Sequence, residues 1–269
     1  MLGFIGVGNM AGAIISGILS KKTFDKSDLT IYDKDTSKYE KFDITPSSSV
    51  AELCESSDII FLCIKPQVYS SVLDEISKNV AKEVIKTKTF VTIAAGISTS
   101  FICKKLGTDA SVIRIMPNTP LLIGEGASAI CRNRFVNDDD FSTVSGIFSS
   151  LGVCKILTED MMNRVISVNG SSPAYVYLFA KAMCDAAKEQ GITEDMLPLV
   201  IQTFIGSAKM MEKSSLTPDE LIKMVTSPNG TTLAALESFE RDNFCDVIKR
   251  AMQKCTDRAE EIASETENS

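Results

Sequence analysis

The stretch that decides the fold lies at the start of the chain: Leu2-Gly3-Phe4-Ile5-Gly6-Val7-Gly8-Asn9-Met10-Ala11-Gly12-Ala13-Ile14-Ile15-Ser16-Gly17-Ile18-Leu19. Leu2 to Ile5 is a short, continuous apolar run of the kind that makes a buried strand. Gly6-Val7-Gly8-Asn9 has the composition of a tight turn, and Met10 to Leu19 sets Ala11, Ile14, Ile15, Ile18 and Leu19 at helical spacing. Gly6, Gly8 and Ala11 fit the pattern G-x-G-x-x-G/A, which carries meaning only between a strand and a helix, and both are predicted here. The first glycine permits the turn, the second lets the backbone approach a pyrophosphate, and Ala11 keeps the helix close to its strand. The pyrophosphate would rest on unpaired N–H groups at the helix N-terminus. Contacts to a dinucleotide are expected from Ile5, Gly6, Val7, Gly8, Asn9, Met10 and Ala11.

A hydropathy scan could instead read Met1 to Ser20 as a signal peptide or membrane span, since it holds no charged residue and Lys21-Lys22 follow it. No basic segment precedes the run, and Gly3, Gly6, Gly8, Gly12, Gly17 and Asn9 interrupt it. Gly8 and Gly12 also match a membrane-helix dimer motif, which requires an unbroken apolar helix.

Leu29-Thr30-Ile31-Tyr32 reads as a second strand and ends in Asp33, where folds of this kind place the acidic residue that reads the adenosine ribose. A carboxylate there accepts a hydrogen bond from the 2′-OH and repels a 2′-phosphate, which favours NAD over NADP. Lys34 and Lys38 lie close enough to blur that preference, and an ordinary turn aspartate would look the same.

Apolar runs at Ile59–Ile64, Phe90–Ala94, Val112–Met116, Ala127–Cys131 and Val153–Leu157 alternate with helical patterns at Ser49–Cys54, Gln67–Ile76, Thr99–Leu106 and Asp139–Ser149. That alternation predicts a parallel sheet covered by helices. Beyond about residue 158 the strand signal stops. Helices are predicted over Ala174–Gln190, Glu194–Lys213, a short stretch begun by Thr217-Pro218, Thr232–Arg241 and Cys245 to about Ala263, with Ser264–Ser269 a frayed polar tail. Thr217-Pro218-Asp219-Glu220 has the form of a capping box with proline at the first helical position. The expected fold class is an α/β Rossmann-like dinucleotide-binding domain, residues 1–158, followed by an all-α domain, residues 159–269. Met196, Leu197, Val200, Ile201, Phe204, Ile205, Ala208 and Met211 make one predicted helix apolar over much of its circumference. Such a helix is central or shared with another subunit, and an intertwined homodimer is expected.

Composition narrows the chemistry. The 269 residues are 44% hydrophobic and 23% charged, and they include no histidine and no tryptophan. Without imidazole there is no Ser-His-Asp or Cys-His dyad, no His-ligated metal, and no histidine acid or base near neutral pH. A net charge of −7 has the wrong sign for gripping a phosphate backbone, so no nucleic acid partner is expected. The eight cysteines (Cys54, Cys63, Cys103, Cys131, Cys154, Cys184, Cys245, Cys255) are scattered without a C-x-x-C pair. They read as reduced, mostly buried residues of a cytoplasmic protein.

Four segments read together resemble pyrroline-5-carboxylate reductase: Ile64-Lys65-Pro66, Ile93-Ala94-Ala95-Gly96, Arg114-Ile115-Met116-Pro117-Asn118-Thr119-Pro120, and Leu221 to Glu240 with its Ser227-Pro228-Asn229-Gly230-Thr231-Thr232. Val168-Asn169-Gly170-Ser171-Ser172-Pro173-Ala174-Tyr175 supports the likeness, which spans nearly the whole chain. The first three segments follow predicted strand ends, where open α/β sheets bind ligands. The resemblance implies that Cys63, Ile64, Lys65 and Pro66, with Ile93, Ala94 and Ala95, flank the nicotinamide of NADPH or NADH. It also implies that Ser227, Asn229, Gly230, Thr231 and Thr232 hold 1-pyrroline-5-carboxylate, with Thr232 beside the ring nitrogen as the catalytic residue. Asn229 stands where many members of that family have a second glycine; asparagine tolerates the left-handed backbone such a turn needs. The implied product is L-proline, made in the last step of its biosynthesis by a homodimer or a ring of dimers.

Two other readings share the fingerprint. A β-hydroxyacid dehydrogenase would need a proton-donating lysine on the first long helix after the sheet, where Ser171 to Lys188 offers only Lys181 ahead of its last residue. A non-catalytic dinucleotide-sensing scaffold gives no reason for Ser227–Thr232. The missing histidine suits an imine substrate, which carries its own proton, better than a carbonyl, which calls for a side-chain acid.

Overall fold

The computed structural model describes residues 1–267. Seven strands form one sheet: β1 (Leu2–Ile5), β2 (Leu29–Tyr32), β3 (Ile59–Leu62), β4 (Thr89–Thr92), β5 (Ser111–Met116), β6 (Gly126–Arg132) and β7 (Gly152–Ile156), in the spatial order 2-1-3-4-5-6-7. Strands β1 to β5 are buried on both faces, so their successive side chains enter different cores, whereas the edge strand β7 leaves Val153 and Ile156 exposed. Phe4, Phe61, Ile113 and Ile115 meet α1 (Asn9–Ser20) and α6 (Asp138–Ser150) on one face. Ile5, Ile60, Leu62 and Phe90 meet α2 (Val50–Ser56), α3 (Tyr69–Asn79) and α5 (Thr99–Leu106) on the other, and a short α4 (Lys82–Ile85) precedes β4. Phe4 and Phe61 stack at 4.6 Å between ring centroids. Each large apolar side chain sealed in this way contributes about 1.5–3 kcal/mol.

The expected all-parallel sheet is corrected at one junction. β6 runs antiparallel to β5, because the chain between them is only a short loop with a 3-10 turn at Thr119–Ile123, too short for the crossover that parallel pairing needs. β7 then pairs parallel with β6 at the sheet edge.

The rest of the chain is helical: α7 (Ser172–Glu189), α8 (Leu197–Lys213), α9 (Pro218–Met224), α10 (Thr231–Arg241) and α11 (Phe244–Glu267). The helix expected from Glu194 begins instead at Leu197, since Pro198 has no N–H to give and is tolerated only in a first turn. Thr217 and Glu220 form the expected capping box on α9. The tail expected to fray from Ser264 is helical to Glu267, and its last two residues lie outside the described residues.

By compactness the chain forms two units, Met1–Pro173 with the stretch from Cys255 onward, and Ala174–Lys254. The expected boundary after residue 158 falls inside the first unit, because the following segment is tied back to the sheet. Glu159 accepts hydrogen bonds from the Thr99 N–H (3.0 Å) and from the buried Arg114 on β5 (3.4 Å). Asn169 Nδ2 donates to the carbonyls of Met116 (2.7 Å) and Ala127 (2.8 Å), bridging β5 and β6. Within the second unit Phe179 stacks on Phe204 at 5.9 Å, and Phe244 contacts Phe179 and Phe239. Among the described residues no helix is long and apolar enough to cross a membrane.

Candidate functional site

The glycine turn after β1 separates into a structural half and an open half. Gly6 has φ +90°, and a Cβ there would lie 2.6 Å from the Cys63 carbonyl oxygen, so only glycine fits against the end of β3. Its N–H donates to the Tyr32 carbonyl at 2.7 Å, which anchors the turn to β2. Gly8 differs on both counts. Its φ of −83° suits any residue, and no atom lies within 4 Å of where its Cβ would be. The fold does not demand glycine at that position, and the space in front of it is open. Gly8 is also the N-cap of α1, which has no side-chain cap and no acidic residue in its first turn. Asn9 and Met10 start the helix at the surface, while Val7 and Ala11 are buried and hold it to the sheet. These features fit the pyrophosphate of a dinucleotide.

Asp33 stands directly beside this turn. Its Oδ2 accepts the Val7 N–H at 2.7 Å, its Oδ1 accepts the Asp35 N–H at 2.9 Å, and the Lys38 ammonium lies 3.0 Å from both oxygens. Burial works against ionisation, but the donors from Val7, Asp35 and Lys38 outweigh it and hold the Asp33 carboxyl below its ordinary range. Asp33 thus latches the fingerprint turn to the end of β2. Lys34 and Lys38 face the same cavity, so the expected blurring of coenzyme preference has a physical basis.

That cavity is lined by Ile5, Gly6, Gly8, Asp33, Cys63, Ile64 and Lys65, joining the turn to the end of β3. Tyr32, Val50, Val68 and Val72 complete its wall and escaped the sequence reading, since three of them sit at apolar helix positions that look like ordinary core. Pro66 is the first residue of a 3-10 turn that follows Lys65. Ile93, Ala94 and Ala95 follow β4 and do not line the cavity; Ala94 is buried and its neighbours are half-buried.

The segment Arg114–Pro120 serves as a clamp. Arg114 reaches Glu159 and the Asn163 side chain, and Asn118 Oδ1 accepts the Ala127 N–H at 2.9 Å.

Ser227–Thr232 belongs to the second unit and joins α9 to α10. Pro228 occupies the second position of a turn closed by the Gly230 N–H on the Ser227 carbonyl (3.0 Å), and Asn229 has φ +60° at the third, the pattern of a type II turn. The asparagine therefore serves where glycine is usual. Gly230, not Thr232, is the N-cap of α10, and it has no side-chain cap. Thr231 and Thr232 are the first two helical residues, so the helix begins one residue before the expected start at Thr232, and Thr232 is half-buried.

No cysteine is disulfide-bonded. Two are buried, five half-buried and Cys245 exposed, which corrects the expectation that most are buried. Burial pushes the thiols of Cys54 and Cys131 up to about 12 and that of Cys154 to about 11, so these are poor nucleophiles. Lys181 is exposed and paired with Asp185 at 2.5 Å along α7.

Known proteins align with this chain over nearly its full length. Residues 159–262 match the family model described as pyrroline-5-carboxylate reductase dimerisation, and residues 1–96 match one described as NADP oxidoreductase, coenzyme F420-dependent. The pyrroline-5-carboxylate reductase of Escherichia coli K12 is 35% identical over 267 residues, covering 97% of this chain and 98% of the relative. That of Methanosarcina acetivorans is 33% identical over 270 residues, covering 97% of each. Among solved structures, the NADP-bound Plasmodium falciparum pyrroline carboxylate reductase superposes with a TM-score of 0.85 at 31% identity, over 97% of both chains. The Coxiella burnetii pyrroline-5-carboxylate reductase gives 0.88 at 27% identity, over 97% of this chain and 98% of that one.

Proposed function

The chain belongs to the pyrroline-5-carboxylate reductase family, and from that premise we propose which of its residues carry the reduction of 1-pyrroline-5-carboxylate to L-proline. It is an NAD(P)H-dependent oxidoreductase acting on a C=N bond, with NADPH or NADH as the reductant. One observation carries the residue assignment. Helices α1 and α10 both open on glycine with no side-chain cap; α3, α4 and α8 also lack a side-chain cap but open on Val68, Ala81 and Met196, while Ser49, Ser98, Asn137 and Thr217 cap α2, α5, α6 and α9. An uncapped helix N-terminus keeps its N–H groups for an anion, and the reaction brings two: the cofactor's pyrophosphate and the substrate's carboxylate.

In the proposed arrangement Gly6–Ala11 hold the pyrophosphate and Asp33 with Lys34 and Lys38 meets the adenosine ribose. Cys63–Pro66 and Ile93–Ala95 flank the nicotinamide, the small alanines leaving room for the ring. When bound there, the nicotinamide would supply a hydride to the C=N carbon of the imine, the atom that becomes C5 of proline. Ser227, Asn229 and Thr231 present backbone N–H groups to the substrate carboxylate, Gly230 closes the turn with its own N–H and adds no side chain at the helix end, and Thr232 orients the ring nitrogen through its hydroxyl, which can donate or accept. A protonated imine needs no side-chain acid, so orientation is the protein's main contribution, and it can be worth about 7–11 kcal/mol of barrier.

The proposed functional division follows the family match that begins at residue 159: cofactor binding in 1–158, dimerisation and substrate binding in 159–269. The chain self-associates through the helical region, and the proposed unit is a homodimer that can extend to a ring of dimers. Tyr177 and Leu178 on α7 and Leu199 on α8 are 63%, 67% and 65% exposed, apolar surface that a partner would cover. Eight unpaired cysteines support the proposed cytoplasmic location.

The test is at Thr232. Thr232→Ala should lower kcat by about 10- to 100-fold with cofactor affinity intact, and Thr232→Ser should retain most of the turnover. Unchanged turnover in Thr232→Ala removes the residue from the mechanism.

A further inference from the structure

A chain of hydrogen bonds runs beneath the strand ends that lead into the cofactor site. Tyr69 opens α3 four residues after Lys65 and is fully buried. Its hydroxyl lies 2.7 Å from the Leu62 carbonyl oxygen and 2.8 Å from Thr92 Oγ1, and the Ala94 N–H approaches the same Oγ1 at 3.4 Å. Leu62 and Thr92 are register partners and the last residues of β3 and β4, so the tyrosine oxygen sits where the paired strands part.

The proton order follows from the groups themselves. The Leu62 carbonyl can only accept, so it takes the single phenolic hydrogen. Thr92 must then donate to the tyrosine oxygen, which leaves its own oxygen to accept from Ala94. The result is a one-directional chain, Ala94 N–H to Thr92 to Tyr69 to the Leu62 carbonyl, whose members strengthen one another in a dry interior. The Ile93 N–H faces the same tyrosine oxygen. Burial pushes the phenol far above its ordinary value, so the hydroxyl keeps its proton and stays a donor.

Packing alone does not call for that oxygen, because phenylalanine would fill the same space. The hydroxyl instead fixes the spacing between the two segments that continue β3 and β4. We propose that Tyr69 is a positioning residue for the nicotinamide half of the cofactor, acting through Leu62 and Thr92 on the Cys63–Pro66 and Ile93–Ala95 segments. The inference rests on the reading above that these segments flank the nicotinamide.

Binding of NADH and of ADP-ribose, which lacks the nicotinamide, separates positioning from general loosening. In Tyr69→Phe the Kd for NADH should rise about fivefold and kcat/KM fall about tenfold, while the Kd for ADP-ribose stays within about twofold of the parent. Thr92→Val should behave alike and Thr92→Ser should restore the parent values; this pair carries the test if Tyr69→Phe does not fold. Parent-like NADH binding and kcat/KM in Tyr69→Phe and Thr92→Val overturn the inference, and so does ADP-ribose binding that weakens in step with NADH. Ala94→Leu probes the underlying reading. It should weaken NADH and spare ADP-ribose, and if NADH binding is unchanged the nicotinamide lies elsewhere and the inference falls with that reading, whatever Tyr69→Phe does.

Discussion

Gly6 and Gly8 stand two residues apart in one motif, yet replacing each by alanine should fail in different ways. At Gly6 an alanine must adopt φ +90° and bring its Cβ to 2.6 Å from the Cys63 carbonyl oxygen. A left-handed backbone costs a side-chain-bearing residue about 1–2 kcal/mol, and forcing an atom into backbone that cannot yield costs about 1–3 kcal/mol more. Gly6→Ala should therefore lose about 2–5 kcal/mol of stability. At Gly8 the backbone angle is ordinary and the space is empty. About 0.5–1.5 kcal/mol is lost at the N-cap and about 0.4–1 kcal/mol is regained from the stiffer unfolded chain, so Gly8→Ala should stay within about 1 kcal/mol of the parent. Its added methyl projects where the pyrophosphate must come close, and the Kd for NADH should rise at least about tenfold, or 1.4 kcal/mol. Urea unfolding reads the first effect and fluorescence titration with NADH the second. A Gly8→Ala protein that binds NADH like the parent, or a Gly6→Ala protein of parental stability, would refute the division of roles.

Asp33→Asn should cost about 1–3 kcal/mol at neutral pH, because the Val7 N–H and Lys38 lose a charged acceptor. The folded carboxyl titrates below its ordinary range, so this stabilisation is complete above that range and disappears as the pH falls through the depressed folded value. Unfolding measured at neutral and acid pH should show the gap closing in acid; a gap independent of pH contradicts it. Asp33→Ser, assayed with both coenzymes, should shift preference toward NADPH, and an unchanged ratio shows that Asp33 does not read the ribose. Leu199→Asp on the exposed face of α8 should shift the protein toward monomer in light scattering; an unaltered mass places the interface elsewhere.

What the sequence discloses and what it hides divide along physical lines. Local devices are plain in it. The strand, turn and helix at residues 2–19, the helix Thr99–Leu106 and the Thr217–Glu220 capping box all rest on residues within a few positions of one another. Strand direction is not local, so the run at Ala127–Cys131 reads the same whether it pairs parallel or antiparallel, and only the shortness of the preceding loop hints at the answer. The first unit's continuation beyond residue 158 depends on single polar contacts, such as Glu159 to Arg114 and Asn169 to two strand carbonyls, which leave no periodicity. The candidate site shows the same split. Gly6 and Gly8 look equivalent in the motif, and only the neighbouring Cys63 carbonyl tells the glycine the fold requires from the one it does not. Asp33 is visible as a residue to watch, but its grip on Val7, 26 positions away, is not.

Transfer of a labelled hydride tests the central claim most directly. Purified protein given 1-pyrroline-5-carboxylate and NADPH or NADH deuterated at the transferred position of C4 should consume cofactor and form L-proline carrying one deuterium at C5. Thr232→Ala should slow this transfer while still binding NADH. A folded protein that consumes no cofactor with this substrate, or that forms proline without the label, would contradict direct hydride transfer to the imine.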